Sequence, residues 1–82
     1  MTAPRIKAVQ PLEGKVLRVE FVNGINKIYD CKRLFHLDAF RPLHSEAFFR
    51  AVKVDTGGYG ISWNDDADLS EYELWVNGQA SE

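Results

Sequence analysis

Hydrophobic and polar residues alternate most clearly from Lys15 to Val22, where Leu17, Val19 and Phe21 share one face of an expected strand. Asn23-Gly24 follows, a dipeptide suited to the two positive φ angles of a type I′ hairpin turn, and a further strand runs from Ile25 to Asp30. A two-residue turn there sets Val22 opposite Ile25, Glu20 opposite Lys27, Val19 opposite Ile28 and Arg18 opposite Tyr29. That register puts Ile28 in the core and leaves Asn26 and Asp30 on the core face near its edges. Upstream, Arg5 to Leu12 has a weaker strand pattern. Downstream, Val52 to Asp55 and Tyr59 to Trp63 form a second pair of expected strands around the turn Thr56-Gly57-Gly58.

Helical signals are short. Lys32 to His36 fits one turn, and Pro42 stops any helix from passing through Arg41. Ser45 is an expected N-cap for a helix from Glu46 to Ala51, with Phe48, Phe49 and Val52 touching core on two sides. Ser70 and Glu73 have capping-box spacing, and Leu69 and Leu74 can form the accompanying staple. In the helix that follows, Tyr72, Trp75 and Val76 are the expected apolar face, and Gly78 ends it in a left-handed conformation. The sequence thus predicts an α+β fold of antiparallel β-hairpins, about five strands, with two or three short helices packed on the sheet. One domain spans 1–82, its ordered core running from about residue 4 to 78 and residues 79–82 fraying.

Composition adds a charge layout. The net charge of −2 conceals an imbalance: residues 1–53 hold all ten Lys and Arg with five acids, a net +5, and residues 54–82 hold seven acids and no base, a net −7. Two readings follow: the halves lie side by side and neutralise each other, or the dipole steers a charged partner or a second copy. Cys31 is alone, so no internal disulfide forms, which agrees with a reducing compartment. No apolar stretch has the length of a membrane span, and the N-terminus lacks the apolar core of a secretory signal. The expectation is a cytoplasmic protein.

The densest candidate stretch is Gly57 to Ser70, with three glycines, two aromatics and three aspartates among its residues. An EF-hand frame from Asp66 fails, because it needs glycine where Glu71 stands and a bidentate Glu where Asn77 stands. The glycines lead into a strand with no following lysine, unlike a phosphate loop. His36, His44 and Cys31 lack a fourth zinc ligand. Neither metal nor cofactor is expected, and no catalytic residue is assigned. Asp65, Asp66 and Asp68 serve most simply as turn and helix-start acids, with an acid/base pair as the alternative. Arg5, Lys7, Lys15, Arg18, Lys27, Lys32 and Arg33, with Tyr29, would make a basic sheet face, although no nucleic-acid-binding motif accompanies them.

Beyond these local signals, Arg5-Ile6-Lys7, Phe21-x-Asn23-Gly24, Phe40-x-Pro42-Leu43, Phe48-Phe49, Val54-Asp55, Gly58-Tyr59-Gly60-Ile61, Trp63-Asn64-Asp65 and Asp68-Leu69-Ser70 together resemble a bacterial family of domains of unknown function, DUF2442. The resemblance covers nearly the whole chain. It implies a compact α+β domain with no agreed catalytic residues. Some longer relatives carry a helix-turn-helix region after the domain, and others accompany a second small domain in an arrangement similar to toxin–antitoxin modules. With the chain ending at Glu82, the expectation is that no DNA-binding appendage follows.

These observations favour a non-enzymatic protein-interaction module, the accessory or antitoxin-like half of a small two-protein system, with a homodimer as a further expectation. Its expected contact surface is Tyr59, Trp63, Asn64, Asp65, Asp66, Asp68 and Trp75, where rings supply area and acids steer a basic protein partner. The alternatives are a ligand-binding domain or enzyme using Asp65, Asp66 and Asp68, then nucleic-acid binding through the basic sheet face.

Overall fold

Two antiparallel sheets share one hydrophobic core in the computed structural model, which describes residues 3–81. The first sheet has the order β1-β2-β3-β7, formed by β1 (Ile6–Leu12), β2 (Val16–Phe21), β3 (Asn26–Asp30) and β7 (Gln79–Ser81). The second is β4-β5-β6, formed by β4 (Lys53–Val54), β5 (Gly60–Ser62) and β6 (Asp68–Ser70). Helix α1 (Glu46–Arg50) precedes the second sheet, and α2 (Glu71–Asn77) returns the chain to the first. The fold is α+β, as expected, with seven strands among the described residues in place of about five.

The β2–β3 hairpin differs from the expected register by one residue. Val19 lies opposite Lys27, Arg18 opposite Ile28 and Leu17 opposite Tyr29. Gly24 at φ 88° closes a three-residue loop, with Gly24 N–H donating to the Phe21 carbonyl and Phe21 N–H to the Ile25 carbonyl, both at 2.9 Å. A one-residue slip moves every side chain of a strand to the other face. Tyr29 therefore joins Leu17, Val19 and Phe21 in full burial, while Ile28, Asn26 and Asp30 go to the outer face. Burying the tyrosine ring decides between the two turns, and it removes the misplaced polar residues from the core.

Between the sheets, Cys31–Leu34 and Asp38–His44 form 3-10 turns, so Pro42 does not interrupt helical structure. Pro42 lies inside the second of these, which passes through Arg41 with 3-10 instead of α geometry. Ser45 caps α1 through a bond from Phe48 N–H (3.3 Å). Gly58, at φ 77°, lies so close to β1 that a Cβ would stand 2.5 Å from the Ile6 carbonyl. This contact seats the second sheet against the first.

The C-terminal segment holds four departures from expectation. Ser70 Oγ accepts from Glu73 N–H (3.1 Å), but the Glu73 carboxylate turns to the Tyr29 hydroxyl (2.7 Å) instead of closing a capping box. Leu74 is the fully buried residue of α2, whereas Tyr72 and Val76 lie exposed on the opposite side of the helix. Gly78 is extended (φ −76°, ψ 153°). Glycine is needed there because its Cβ would stand 2.5 Å from the Leu74 carbonyl. That extended residue launches β7, so residues 79–81 pair with β3 where fraying was expected; Glu82 lies outside the described residues.

Candidate functional site

Paired strands β5 and β6 hold the 64–67 segment as a tight turn. Trp63 N–H donates to the Ala67 carbonyl (2.9 Å), and Asn64 Oδ1 accepts from both Asp66 N–H (2.9 Å) and Ala67 N–H (2.7 Å). A short amide side chain fits this role because it reaches the backbone two and three residues ahead. Asp65, Asp66 and Asp68 project outward and are exposed. Beside the turn, the last residue of β5, Ser62, donates its hydroxyl to Asp55 Oδ1 (2.6 Å) across the β4–β5 pair.

Trp63 is a core residue, only 9% exposed. Its indole N–H donates to the Phe49 carbonyl (2.8 Å), one of the carbonyls left free at the end of α1. Its ring stacks on Phe49 and meets Phe40 edge-on, each with centroids 6.3 Å apart. Trp63 therefore does not belong to an exposed contact surface. Of the expected surface residues, Asn64, Asp65, Asp66 and Asp68 gather at the turn. Tyr59 lies beyond the far end of β5, about 16 Å away at strand rise.

Tyr59 has different neighbours. Its ring is 55% exposed and carries the Arg5 guanidinium 4.4 Å from the centroid. The Arg5 carbonyl accepts from Val22 N–H (2.9 Å), and the Tyr59 carbonyl accepts from Glu71 N–H (3.0 Å). These bonds bring the exposed Val22 and Tyr72 to the same end of the molecule. Trp75, half-buried on α2, meets Phe21 edge-on at 5.0 Å and lies under Lys27 Nζ, 4.1 Å from the ring centroid. Sequence reasoning missed Arg5, Val22 and Tyr72. Arg5 was counted with the basic residues, and Tyr72 was assigned to the buried face of its helix.

Cations of the N-terminal portion reach the acidic portion at the C-terminal end of α2. Lys27 Nζ donates to the Trp75 carbonyl, and Arg33 Nη1 to the Asn77 carbonyl (3.3 Å). There they meet the negative end of the helix dipole, which has no basic residue of its own in the last turn. The ion pairs among the described residues, from Lys7–Glu20 to Arg50–Glu46, all fall within residues 7–50. The acids after Val54 thus make no ion pair there. The basic residues form no common face either. Arg18 lies on the outer side of the first sheet bonded to Gln10, Lys27 lies on the inner side against Trp75, and Tyr29 is buried.

Burial raises two interior groups. The Tyr29 phenol is held well above its ordinary value by burial first and by its bond to Glu73 second, and burial pushes the Cys31 thiol up to about 12. A thiol so placed is a poor nucleophile. His44 packs against Phe35 with centroids 4.2 Å apart and the rings tilted by 42°. The outer face of the first sheet carries a hollow of about 440 Å³ lined by Gln10, Arg18, Glu20, Asn26 and small neighbours, which includes none of the acidic-turn residues. No helix among the described residues is long and apolar enough to cross a membrane.

Fold and surface together define a small two-sheet α+β domain in which Gly58, Trp63, Asn64 and Ser70 set backbone and packing, while an aromatic–arginine patch stays exposed at one end. The chain belongs to the family described as Protein of unknown function (DUF2442), whose model matches residues 6–80. No curated protein and no solved structure matches it.

Proposed function

We propose that this chain is a non-enzymatic protein-interaction module whose contact surface is centred on Tyr59, Arg5 and Tyr72 and bordered by Trp75 and Val22. The observation that carries this reading is Tyr59, 55% exposed with Arg5 over its ring, and a second tyrosine, Tyr72, 54% exposed and next in sequence to the Glu71 whose N–H bonds the Tyr59 carbonyl. Tyr, Trp and Arg are the residues in which interface binding energy concentrates, because they bring large contact area with few rotors to immobilise. Asp65, Asp66 and Asp68, exposed and free of ion pairs among the described residues, give that half of the surface a negative field suited to a basic partner. In this reading the protein acts in the cytoplasm as the accessory, antitoxin-like half of a two-protein system.

The test is capture of partners from the native cell extract by tagged protein, in parallel with a Tyr59→Ala/Tyr72→Ala variant and an Asp65→Asn/Asp66→Asn variant. One stoichiometric protein is expected with the wild type, lost with the tyrosine variant and bound more slowly by the aspartate variant, at unchanged thermal stability. A partner retained in full by the tyrosine variant, or no stoichiometric partner at all, refutes the proposal.

A further inference from the structure

The two edges of the first sheet are built differently. Phe21 N–H donates to the Ile25 carbonyl and Cys31 N–H to the Lys15 carbonyl, so the odd-numbered residues of β2 and β3 bond to each other. The even-numbered residues of β2 then bond to Ala8, Gln10 and Leu12, which leaves Val9 and Pro11 facing the outer edge of β1. Pro11 has no N–H to offer there, and the register shift between Ile6 and Ala8 places a bulge at Lys7. Proline, a bulge and lysine are among the devices that keep an edge strand from pairing with another chain.

Strand β7 has none of them. Its bonded partners on β3 are the even-numbered residues, so Gln79 and Ser81 bond inward to Ile28 and Asn26. Ala80 therefore turns both its N–H and its carbonyl to the open edge. Gln79-Ala80-Ser81 carries no charge, no proline and no bulge. Val76, half-exposed on the last turn of α2, lies only two residues before the extended Gly78 that starts this strand.

We infer that β7 is a docking edge for a second copy of this chain, the two β7 strands pairing antiparallel about a two-fold axis at Ala80 to make a continuous eight-stranded sheet. The segment is self-complementary. Centring on Ala80 pairs each Ala80 with the second copy's Ala80 through two hydrogen bonds and sets each Gln79 opposite the second copy's Ser81. A neutral segment meets its own image without like-charge repulsion, which a strand carrying one sign of charge would not. Arg5 and Tyr59 lie at the β1 edge and β7 is the opposite edge of the same sheet, so the dimer leaves the Arg5–Tyr59 pair free.

Sedimentation velocity of the full chain over a wide range of concentrations tests this. A concentration-dependent dimer is expected, with Ala80→Pro weakening association about tenfold or more through loss of the two edge bonds. Proline there removes no bond to β3, and Tyr59→Ala leaves association unchanged. A chain monomeric throughout, or a dimer that Ala80→Pro leaves intact, overturns the inference. Should Ala80→Pro fail to fold, hydrogen exchange of the wild type decides. The Ala80 amide must gain protection as concentration rises, and fast exchange at every concentration overturns the inference. A dimer that forms as expected while no Tyr59-dependent partner is captured would refute the interaction reading alone.

Discussion

Trp63 provides the sharpest separation between a structural and a binding role for the segment richest in motif residues. Trp63→Phe keeps an aromatic ring in the core but removes the donor to the Phe49 carbonyl at 2.8 Å. Leaving a buried acceptor unpaired costs about 1–3 kcal/mol. The smaller ring gives up some 40 Å² of buried apolar area, about 1 kcal/mol at 25 cal/mol per Å². The expected loss is therefore about 2–4 kcal/mol, against a total of about 4–12 kcal/mol for a domain of this length. Urea unfolding followed by far-ultraviolet circular dichroism is the assay, since the substitution removes one of the two tryptophans as a fluorescent reporter. With a slope near 1 kcal/mol per M, the midpoint falls by about 2–4 M. A shift within about 0.5 kcal/mol, as at an ordinary surface position, refutes the structural assignment. Trp63→Ala, at about 3–5 kcal/mol, would remove much of the total stability and is unsuitable for probing a binding surface.

Three further outcomes follow from the geometry. Gly58→Ala, at φ 77° with its Cβ 2.5 Å from the Ile6 carbonyl, is expected to cost about 3 kcal/mol or more, and Gly24→Ala, at φ 88° with nothing within 4 Å, about 1 kcal/mol; equal losses in thermal melts would refute the seating contact. Asn64→Ala strips the acceptor from two turn amides and should cost about 1–2 kcal/mol, whereas Asp65→Asn stays within about 0.5 kcal/mol, both read by urea titration; a costly Asp65→Asn would give that carboxylate a role the turn does not explain. The neutral forms of Cys31 and Tyr29 stabilise the fold fully below their unfolded values of 9.0 and 10.0, and that stability is lost as pH rises beyond them, because the unfolded chain releases protons the folded chain retains. The melting temperature should fall on the alkaline side, less steeply in Cys31→Ala and Tyr29→Phe, and a flat wild-type profile between about pH 8 and 11 refutes it.

The order of the hairpins, the cap at Ser45 and half of the cap at Ser70 were legible because each depends on residues within four of one another. The β2–β3 register was not. Asn23-Gly24 suits a two-residue turn and a three-residue loop equally, and the choice rests on burying Tyr29, whose hydroxyl partner Glu73 is 44 residues away. Strand β6 was hidden for a related reason: Asp68-Leu69-Ser70 spells a helix start, and the same three residues also pair with β5. Strand β7 has almost no intrinsic strand preference, since Gln, Ala and Ser become a strand only where β3 offers an edge.

The place of Trp63 in the expected surface fails by the same mechanism. Trp63 stands in sequence among Asn64, Asp65 and Asp66, and a ring among acids resembles an exposed anchor. Strand alternation separates them: Trp63 turns inward to Phe49 and Phe40 while the acids ride the turn outside. Arg5 and Tyr59 are 54 residues apart and meet only because Gly58 admits the second sheet against Ile6. Gly58 and the patch are thereby linked. A larger residue at position 58 would push the second sheet off β1 and carry Tyr59 away from Arg5, so the glycine that looks like punctuation sets the geometry of the exposed surface. A binding loss in Gly58→Ala beyond its loss of folded protein would measure that link directly.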